Sequence, residues 1–494
     1  MSGPGPRLNR RHWLAALLAA SSLPWPLALR AQGFDRPPPA GPALPLLPPT
    51  LGETVLPNGL RVLVAQRRGV PLVSVRLLLT EAGSLGDAEG KAGLARLHLL
   101  VLSRGVLRDG EPNSADDIAF AAESLGAALE VETLAEAGSL GLTVARPALE
   151  EALDLLGDLL LQPMLAPDEV ERGREELLDA RRQQLDDAAQ LAPLLARRLH
   201  WGPGAAGLLP GAASLARLTR RDLLEQQRRL RPDACVLVLA GDIDLEEARS
   251  LALLQFGEWR PPAQPLPERR RLQPVELPPR TLIVDRPGAA QASIALAAPF
   301  PGAAALGAEA RLALSVLGQG YSSRLNQQLR IRRGLAYGVS CEADSAGGAG
   351  LLLSTTQTRP ALAAEAIALM GAEWLRLAED EIGAAELDAR RAALLGSHGR
   401  ALETTATLAG LLVEQALSGR PLAELQRLAE ALEQVTPTQL HSWLQAQRWQ
   451  DEELRRVVVA DLAAAGPALR QLDPAAWIVP HARLDPASPT LRSR

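Results

Sequence analysis

The sequence predicts an α+β fold made of two tandem homologous domains, each a mostly antiparallel sheet covered by helices. Hairpin-like strands stand next to pairs of long amphipathic helices, without the strict strand–helix alternation that a parallel sheet requires. The chain has 494 residues, which is too many for one hydrophobic core. A pattern from the first half also returns in the second half, which indicates an internal duplication.

The duplication rests on two pairs of matching segments. Residues 218–223 read L-T-R-R-D-L and residues 435–440 read V-T-P-T-Q-L, and each run opens a predicted helix. The interval from Thr219 to Thr436 nearly equals the interval from Asp242 to Asp461, the two aspartates that end apolar strands. These nearly equal offsets predict a tandem repeat of about 220 residues.

The first half supplies most of the predicted elements. Residues 55–64 are predicted as a strand, an Asn58-Gly59 turn and a second strand. Apolar runs predict further strands at 72–79, 140–145, 235–242 and 456–461. Helical apolar spacing predicts helices at 88–103, 114–125, 147–161 and 167–185, the last with Pro167 in its first turn.

Composition shifts predict the domain boundaries. We expect a signal peptide at 1–31, a proline-rich leader at 32–51, an N-terminal domain at 52–260 and a linker at 261–280. A C-terminal domain at 281–465 and a loop-like tail at 466–494 follow. The signal has an arginine-rich start with a twin-arginine character, an apolar stretch from Trp13, and a small-residue cleavage site after Ala31. The alternative is an amphipathic N-terminal helix that stays on the protein.

Charge and cysteine content exclude several classes of protein. The formal net charge is −5 and no long basic run follows the N-terminus, so a nucleic-acid partner is not expected. No later segment has enough uncharged apolar residues to span a membrane. Cys235 and Cys341 are too few for a disulfide framework, and we expect two separate buried thiols rather than one bridge. Because a signal peptide is expected at 1–31 and no later segment could span a membrane, the mature protein is expected in the periplasm, without a stable membrane span.

A family resemblance rests on the order of segments between Leu60 and Gly105. Two strands are followed by A-G-S at 82–84 and by G-K-A-G-L-A at 90–95, and the run R-P-D-A-C-V-L-V-L-A-G-D at 231–242 closes the domain. This order resembles pitrilysin/insulinase-type zinc peptidases, over residues 52 to 465. The resemblance implies a helix that carries H-x-x-E-H, in which two histidines bind zinc and the glutamate is the general base.

This chain lacks that motif at the matching positions. Arg96 replaces the first histidine, Leu99 the base and Leu100 the second histidine. A guanidinium is always charged and does not ligate a metal, and leucine has no donor atom. For the family's third ligand, a glutamate, the match falls on Ala180, while Asp179 or Glu176 fits a shifted register. We therefore expect no cofactor and no catalytic residue in this chain.

His98 lies inside the degenerate motif without a second histidine three or four residues away. We expect a partly buried or surface histidine rather than a ligand. His200, His398, His441 and His481 are also scattered, without metal-ligand spacing.

The second half retains a segment that the family uses for substrate. G-Q-G-Y-S-S-R-L at 318–325 resembles its glycine-rich turn, and L-R-I-R-R-G-L-A-Y at 329–337 follows in register. Arg330 and Tyr337 match the arginine and tyrosine that reach the substrate peptide in the family. The alternative is that Arg330 caps or solvates a helix while Tyr337 begins a buried strand. Arg332 and Arg333 are expected to face solvent.

The resemblance therefore implies a non-catalytic, substrate-binding subunit of a periplasmic heterodimeric zinc metallopeptidase. Its partner would be a homologous chain with an intact H-x-x-E-H motif and the zinc, and the pair would close around an unfolded peptide. Two alternatives remain open. One is a structural scaffold of the same fold without a role in proteolysis, and the other is an enzyme active alone through a rearranged site at His98.

Overall fold

The computed structural model describes residues 48–108, 110–261, 263 and 279–493. The predicted signal peptide, most of the leader and most of the linker lie outside the described residues. The β-strands of these ranges are β1 (Thr50–Val55), β2 (Arg61–Gln66), β3 (Leu72–Leu79), β4 (Gly105–Arg108), β5 (Glu111–Ser114), β6 (Glu130–Thr133), β7 (Gly138–Ala145), β8 (Cys235–Gly241), β9 (Thr281–Asp285), β10 (Ala292–Phe300), β11 (Ala336–Ala346), β12 (Ala349–Thr358), β13 (Arg455–Ala460) and β14 (Trp477–Pro480).

The helices lie between and beside these strands. They are α1 (Leu94–Leu102), α2 (Ala115–Ser124), α3 (Leu149–Leu161), α4 (Pro167–Asp186), α5 (Ala188–Trp201), α6 (Ala212–Arg217), α7 (Arg220–Arg229), α8 (Leu245–Phe256), α9 (Ala308–Gly318), α10 (Arg324–Asn326), α11 (Ala363–Glu379), α12 (Ala384–Ala401), α13 (Thr405–Ser418), α14 (Leu422–Gln434), α15 (Pro437–Gln447), α16 (Leu462–Ala465) and α17 (Pro467–Gln471). A π-helical segment, Gln327–Arg332, continues α10. None of the helices in the described ranges has both the length and the apolar character that a membrane span requires.

Two six-stranded sheets share the order and direction of five strands and differ in the sixth, since β1 pairs antiparallel with β2 whereas β14 pairs in parallel with β9. The first has the order β1-β2-β8-β3-β7-β6, and the second, read from its other edge, has the order β14-β9-β13-β10-β12-β11. In the shared part, β2 pairs in parallel with β8 and β9 with β13, and the next three ladders of each sheet are antiparallel. The predicted α+β fold with two homologous domains is confirmed.

Each half donates one helix to the sheet of the other half. Helix α13, from the second half, packs its buried Leu408 and Leu412 on Leu63, Leu78 and Val238 of the first sheet. Because helices cover both faces of this sheet, its central strands are apolar at successive positions rather than at alternate ones. Burying each such leucine contributes about 1.5–3 kcal/mol.

Helix α5 makes the reciprocal contact. Its buried Leu191, Leu195 and Leu199 pack on the second sheet, beside Val457 and Val459. The N-cap residues of the two exchanged helices, Asp187 and Thr404, are separated by the same interval as Thr219 and Thr436, so the exchanged helices are equivalent elements of the repeat. The exchange joins the two halves through buried apolar surface.

Polar contacts accompany the exchange. The Arg67 guanidinium donates to the Leu402 carbonyl over 2.7 Å, and the Ser74 hydroxyl donates to that of Thr405 over 2.9 Å. These bonds satisfy polar groups at the edge of the apolar contact, where an unpaired group would be costly.

Three local predictions differ from the structure or are settled by it. The helix predicted at 88–103 begins only at Leu94, because Gly90 and Gly93 have φ angles of +77° and +97°, outside the right-handed helical region. The tail predicted as loop-like contains β14, which pairs in parallel with β9. Cys235 and Cys341 are both buried and free, as predicted.

Candidate functional site

The helix that carries the degenerate motif, α1, is fixed at its N-terminus by one carboxylate. The Asp87 side chain accepts hydrogen bonds from the backbone N–H of Gly93 over 2.7 Å and of Ala95 over 2.8 Å. Burial raises the pKa of Asp87 to about 6, although these backbone hydrogen bonds act in the opposite direction. A side chain at Gly93 would clash with Leu215, since a Cβ there would lie 2.8 Å from Leu215 Cδ2.

The three motif positions on α1 lie in different environments. Arg96 is exposed, Leu99 is fully buried and Leu100 is half-buried. Leu99 packs over the start of β7, where a Cβ on Gly138 would lie only 2.5 Å from its Cδ1. The helix therefore presents an apolar surface and one guanidinium where the family has its zinc ligands and base.

The segment matched to the third ligand does not supply a free carboxylate. Ala180 is half-buried, and Asp179 is exposed and paired with Arg182 over 2.5 Å. Both Glu176 oxygens accept from Arg104, over 2.8 and 2.6 Å. This hydrogen bond lowers the pKa of Glu176. Each alternative register therefore falls on a residue that has no carboxylate or has a cationic partner.

Taken together, the residues at this position do not fit zinc. Zinc sites in proteins need three or four nitrogen, sulfur or oxygen ligands that converge on one point. In the described part of the chain, no group of three or more His, Cys, Asp or Glu side chains is arranged to hold a metal ion.

His98 is fully buried, which corrects the predicted partly buried or surface histidine. Its Nε2 lies 2.9 Å from Gln227 Oε1, and the Gln227 amide donates to the Leu160 carbonyl over 2.6 Å. Burial lowers the pKa of His98 to about 4. The reason is that α1 packs against α4 and α7 as well as against β6, so His98 lies on a covered side of the helix, whereas Arg96 faces solvent. This burial gives the rearranged-site alternative no support.

The second candidate region surrounds Arg330 and Tyr337, at the edge of the second sheet. Helix α9 ends at Gly318, a turn leads to α10, and the π-helical segment brings the chain to the edge strand β11. A π-helix is rare and is often found at functional sites. Tyr337 lies near the start of β11, at an irregularity in its pairing with β12, and it is 87% exposed. The alternative in which it begins a buried strand is therefore wrong.

The structure brings Arg330 and Tyr337 together and adds a residue that the sequence analysis missed. The Arg330 guanidinium carbon lies over the Tyr337 ring, 4.6 Å from its centroid, and over the Tyr321 ring at 4.7 Å. These are the only two tyrosines of the chain, and both are exposed. Each cation–π contact at such a site contributes about 0.5–1 kcal/mol.

Asn326 connects the two segments that carry the tyrosines. Its side-chain oxygen accepts from the Val339 N–H over 3.0 Å, and its amide lies 2.8 Å from the Val339 carbonyl and 3.2 Å from the Gly320 carbonyl. The Asn326 side chain is buried. It therefore fixes the turn before Tyr321 to the strand after Tyr337, and so sets the distance between the two rings.

The neighbouring arginines differ from Arg330 in their partners. Arg324 makes two hydrogen bonds of 2.9 Å to Glu386, and Arg333 pairs with Glu365 over 2.9 Å. Arg332 and Arg333 are exposed, as predicted. In the described ranges the Arg330 side chain has no hydrogen-bond or ion-pair acceptor, only the two rings. Its donors are therefore available to a ligand.

Comparisons with protein families agree with this architecture. The family model described as "Insulinase (Peptidase family M16)" matches residues 61–200, and the one described as "Peptidase M16 inactive domain" matches residues 217–394. Together they cover parts of both halves.

Two bacterial relatives match over most of their length. A Mycobacterium tuberculosis protein described as an uncharacterized zinc protease is 30% identical over 417 residues, covering 82% of this chain and 91% of the relative. A Helicobacter pylori protein described as the non-peptidase homolog YmxG is 24% identical over 396 residues, covering 78% of this chain and 88% of the relative.

Solved structures share the fold. The peptidase M16 inactive domain from Pseudomonas fluorescens has a TM-score of 0.75 at 21% identity, covering 84% of this chain and 100% of that chain. The first half of the periplasmic protease PqqL from Escherichia coli has a TM-score of 0.67 at 18% identity, covering 86% of this chain and 95% of that one. The resemblance stated from the sequence is confirmed: the chain belongs to the insulinase family of M16 peptidases and lacks its H-x-x-E-H motif.

Proposed function

We propose that this chain is the non-catalytic, substrate-binding subunit of a heterodimeric zinc metallopeptidase that acts on peptides outside the cytoplasm. The observation that carries the proposal is a contrast between the two halves. The first half has Arg96, Leu99 and Leu100 where the family binds zinc, whereas the second half holds Arg330 and Tyr337 together at an exposed sheet edge.

Two features of this edge suit an unfolded peptide. Arg330 can donate to peptide oxygens, and the exposed Tyr337 hydroxyl adds a directional partner. Strand β11 pairs only with β12 in the described ranges, so the backbone on its other side can pair with an added strand. Such pairing gives affinity with little dependence on sequence.

The partner supplies the hydrolytic chemistry in this proposal. It is a homologous chain with an intact H-x-x-E-H motif, whose zinc polarises the peptide carbonyl and activates water. The fold similarity to half of a periplasmic protease, together with the arginine-rich and apolar N-terminal segment, supports export and assembly of two such chains.

The test is reconstitution with the homologous H-x-x-E-H chain of the same organism. We expect neither chain alone to cleave an unstructured peptide and the pair to cleave it, with loss of activity on chelation of zinc. Arg330→Ala should lower the rate of the pair by about 10- to 100-fold and Tyr337→Phe by a smaller factor, because hydrogen bonds to charged groups contribute about 1.5–3 kcal/mol.

A matched control separates binding from general charge effects. Arg332→Gln removes a positive charge from the same π-helical segment, but this exposed guanidinium is not the one that lies over the tyrosine rings. It should leave the rate unchanged, and all variants should still form the pair. Full activity of both Arg330→Ala and Tyr337→Phe would reject the substrate-binding role and leave the scaffold alternative.

A further inference from the structure

We propose that Tyr321, Arg330 and Tyr337 form a binding site for a carboxylate of the peptide. This inference rests on the proposed function, since it names the class of peptide that the same edge would hold. It also gives a role to Tyr321. The Tyr321 ring contacts the Arg330 guanidinium, as the Tyr337 ring does, and Tyr321 is therefore a positioning residue of the site.

The state of the Arg330 guanidinium favours an anionic ligand. It is half-buried and permanently charged, and its only contacts of a polar or charged kind in the described ranges are the two ring faces. A ring face attracts the cation through its quadrupole but offers no oxygen acceptor. A guanidinium has five N–H donors in one plane, and among the groups of an unmodified peptide a carboxylate is the anion that matches two of them at once.

The other arginines of the segment differ from Arg330 in their neighbours. Residues 318–337 contain four arginines and no Asp or Glu. Arg324 and Arg333 are each paired with a glutamate from a neighbouring helix. Arg332 lines an open cleft of about 330 Å³ together with Glu373 and Asp380. Arg330 alone among the four has aromatic rings in place of acidic neighbours. An incoming carboxylate would therefore be the first acidic group to contact its guanidinium.

Hydrogen bonds make the site rigid. The buried Asn326 side chain forms hydrogen bonds with the Gly320 carbonyl and with both the N–H and the carbonyl of Val339. These bonds fix the positions of the two segments that carry Tyr321 and Tyr337. The Arg390 guanidinium supports the same turn by donating to the Gln319 carbonyl over 2.9 Å. A site held in its binding geometry before the ligand arrives loses little conformational entropy on binding.

The carboxylate has two sources in a peptide, the C-terminus and the side chains of Asp and Glu. Both present the same planar pair of oxygens to the guanidinium. A neutral peptide carbonyl is the competing ligand, and it accepts from fewer of the donors.

The experiment separates these ligands with four peptides of one ten-residue sequence. They combine a free or amidated C-terminus with Glu or Gln at one internal position, and their affinities for the full chain are measured by calorimetry. We expect the amidated Gln peptide to bind at least about 10-fold more weakly than a peptide with a carboxylate. If the peptide with a free C-terminus and Gln retains the affinity, the site binds the C-terminal carboxylate. If the amidated peptide with Glu retains it, the site binds a side-chain carboxylate.

Variants assign the effect to the site. Arg330→Gln should abolish the difference between the peptides, while Arg332→Gln, the matched loss of charge on the same segment, should preserve it. Tyr321→Leu should reduce the difference several-fold and Tyr321→Phe should preserve it, because the ring rather than the hydroxyl contacts the guanidinium. Equal unfolding midpoints of these variants would show that the fold is intact.

Two outcomes overturn the inference and are distinguishable. Equal affinity of the four peptides would reject the carboxylate site and leave the proposed substrate-binding function in place. Failure of the chain to bind any of the peptides would reject both.

Discussion

Arg174 and Arg391 are separated by the same interval as Thr219 and Thr436, and they make the same hydrogen bonds in the two halves of the molecule. Each guanidinium donates to the last carbonyls of a helix, α6 in the first half and α14 in the second, and each pairs with a carboxylate three residues earlier on its own helix. Carbonyls at the C-terminal end of a helix lack the usual helical donors, and a cation there also complements the helix dipole. The Leu215 carbonyl accepts in addition from the Leu218 N–H over 3.1 Å. The acceptors are the carbonyl oxygens of Leu215 and Leu218 for the first arginine and of Leu432 and Val435 for the second.

This relationship predicts that the two arginines stabilise the fold to a similar extent. Arg174→Met and Arg391→Met should each lower the free energy of unfolding by about 1–3 kcal/mol, because each removes two charged hydrogen bonds to carbonyls of buried residues. Urea unfolding measures the change. Arg182→Met is the control, since Arg182 pairs with the exposed Asp179 at the surface, and it should change the stability by less than about 0.5 kcal/mol. A large effect of one arginine and none of the other would contradict the equivalence.

The duplication could be predicted from the sequence because helix starts and strand ends depend on local chemistry. Thr219 and Thr436 occupy matching positions of the repeat, and both are N-caps whose side chains accept from the third residue of the helix. The strand predicted at 72–79 is β3 with the same bounds. Such features need only a few neighbouring residues, so they are visible without tertiary structure.

The contacts around Arg330 were less accessible to sequence reasoning. The spacing of Arg330 and Tyr337 indicated the pair, but Tyr321 stands in a turn without periodicity. Its contact with Arg330 depends on the π-helical segment and on the hydrogen bonds of Asn326. The sequence also missed β14, because the prolines around it are typical of loops and its pairing with β9 is decided by packing.

Two buried histidines predict that acid destabilises the protein. Burial lowers the pKa of His98 and of His200 to about 4, and the positive charge of Arg455 adds to the effect on His200. Both values lie below that of a histidine in the unfolded chain, near 6.5. Their contribution to stability is therefore fully present above pH 6.5 and is lost as the pH falls through 4, by up to about 3 kcal/mol for each group.

The variant His98→Gln separates this effect from other titrations. It should lower the stability at pH 8, where the packing of the imidazole is lost, but its stability should fall less steeply between pH 6.5 and 4 than that of the parent chain. Urea unfolding at a series of pH values measures both. Parallel profiles for the two proteins would show that His98 does not contribute to the acid transition.

Restoring the motif on α1 alone should not restore a zinc site. The triple variant Arg96→His, Leu99→Glu, Leu100→His supplies two histidines and a base but no third ligand, because Ala180 has no carboxylate and Glu176 is held by Arg104. We expect no stoichiometric zinc after dialysis and no chelator-sensitive cleavage of a peptide. The buried glutamate at position 99 should also lower the stability by a few kcal/mol.

The experiment compares the zinc content of the triple variant with that of a variant that carries Ala180→Glu in addition. One tightly bound zinc ion in the triple variant would show that Glu176 or Asp179 is free to ligate.

The exchange of α5 and α13 predicts that neither half folds alone. Without the second half, the first sheet exposes the face that Leu408 and Leu412 cover, and without the first half, the second sheet exposes the face under α5. We expect residues 48–263 and 279–493 to be insoluble or unfolded when expressed separately, and to co-purify with the circular dichroism of the full chain when expressed together. Leu412→Asp should weaken this complex, whereas Ala406→Asp, at an exposed position of the same helix, should not. A first half that unfolds cooperatively on its own would place the exchanged helices outside the cores that stabilise each sheet.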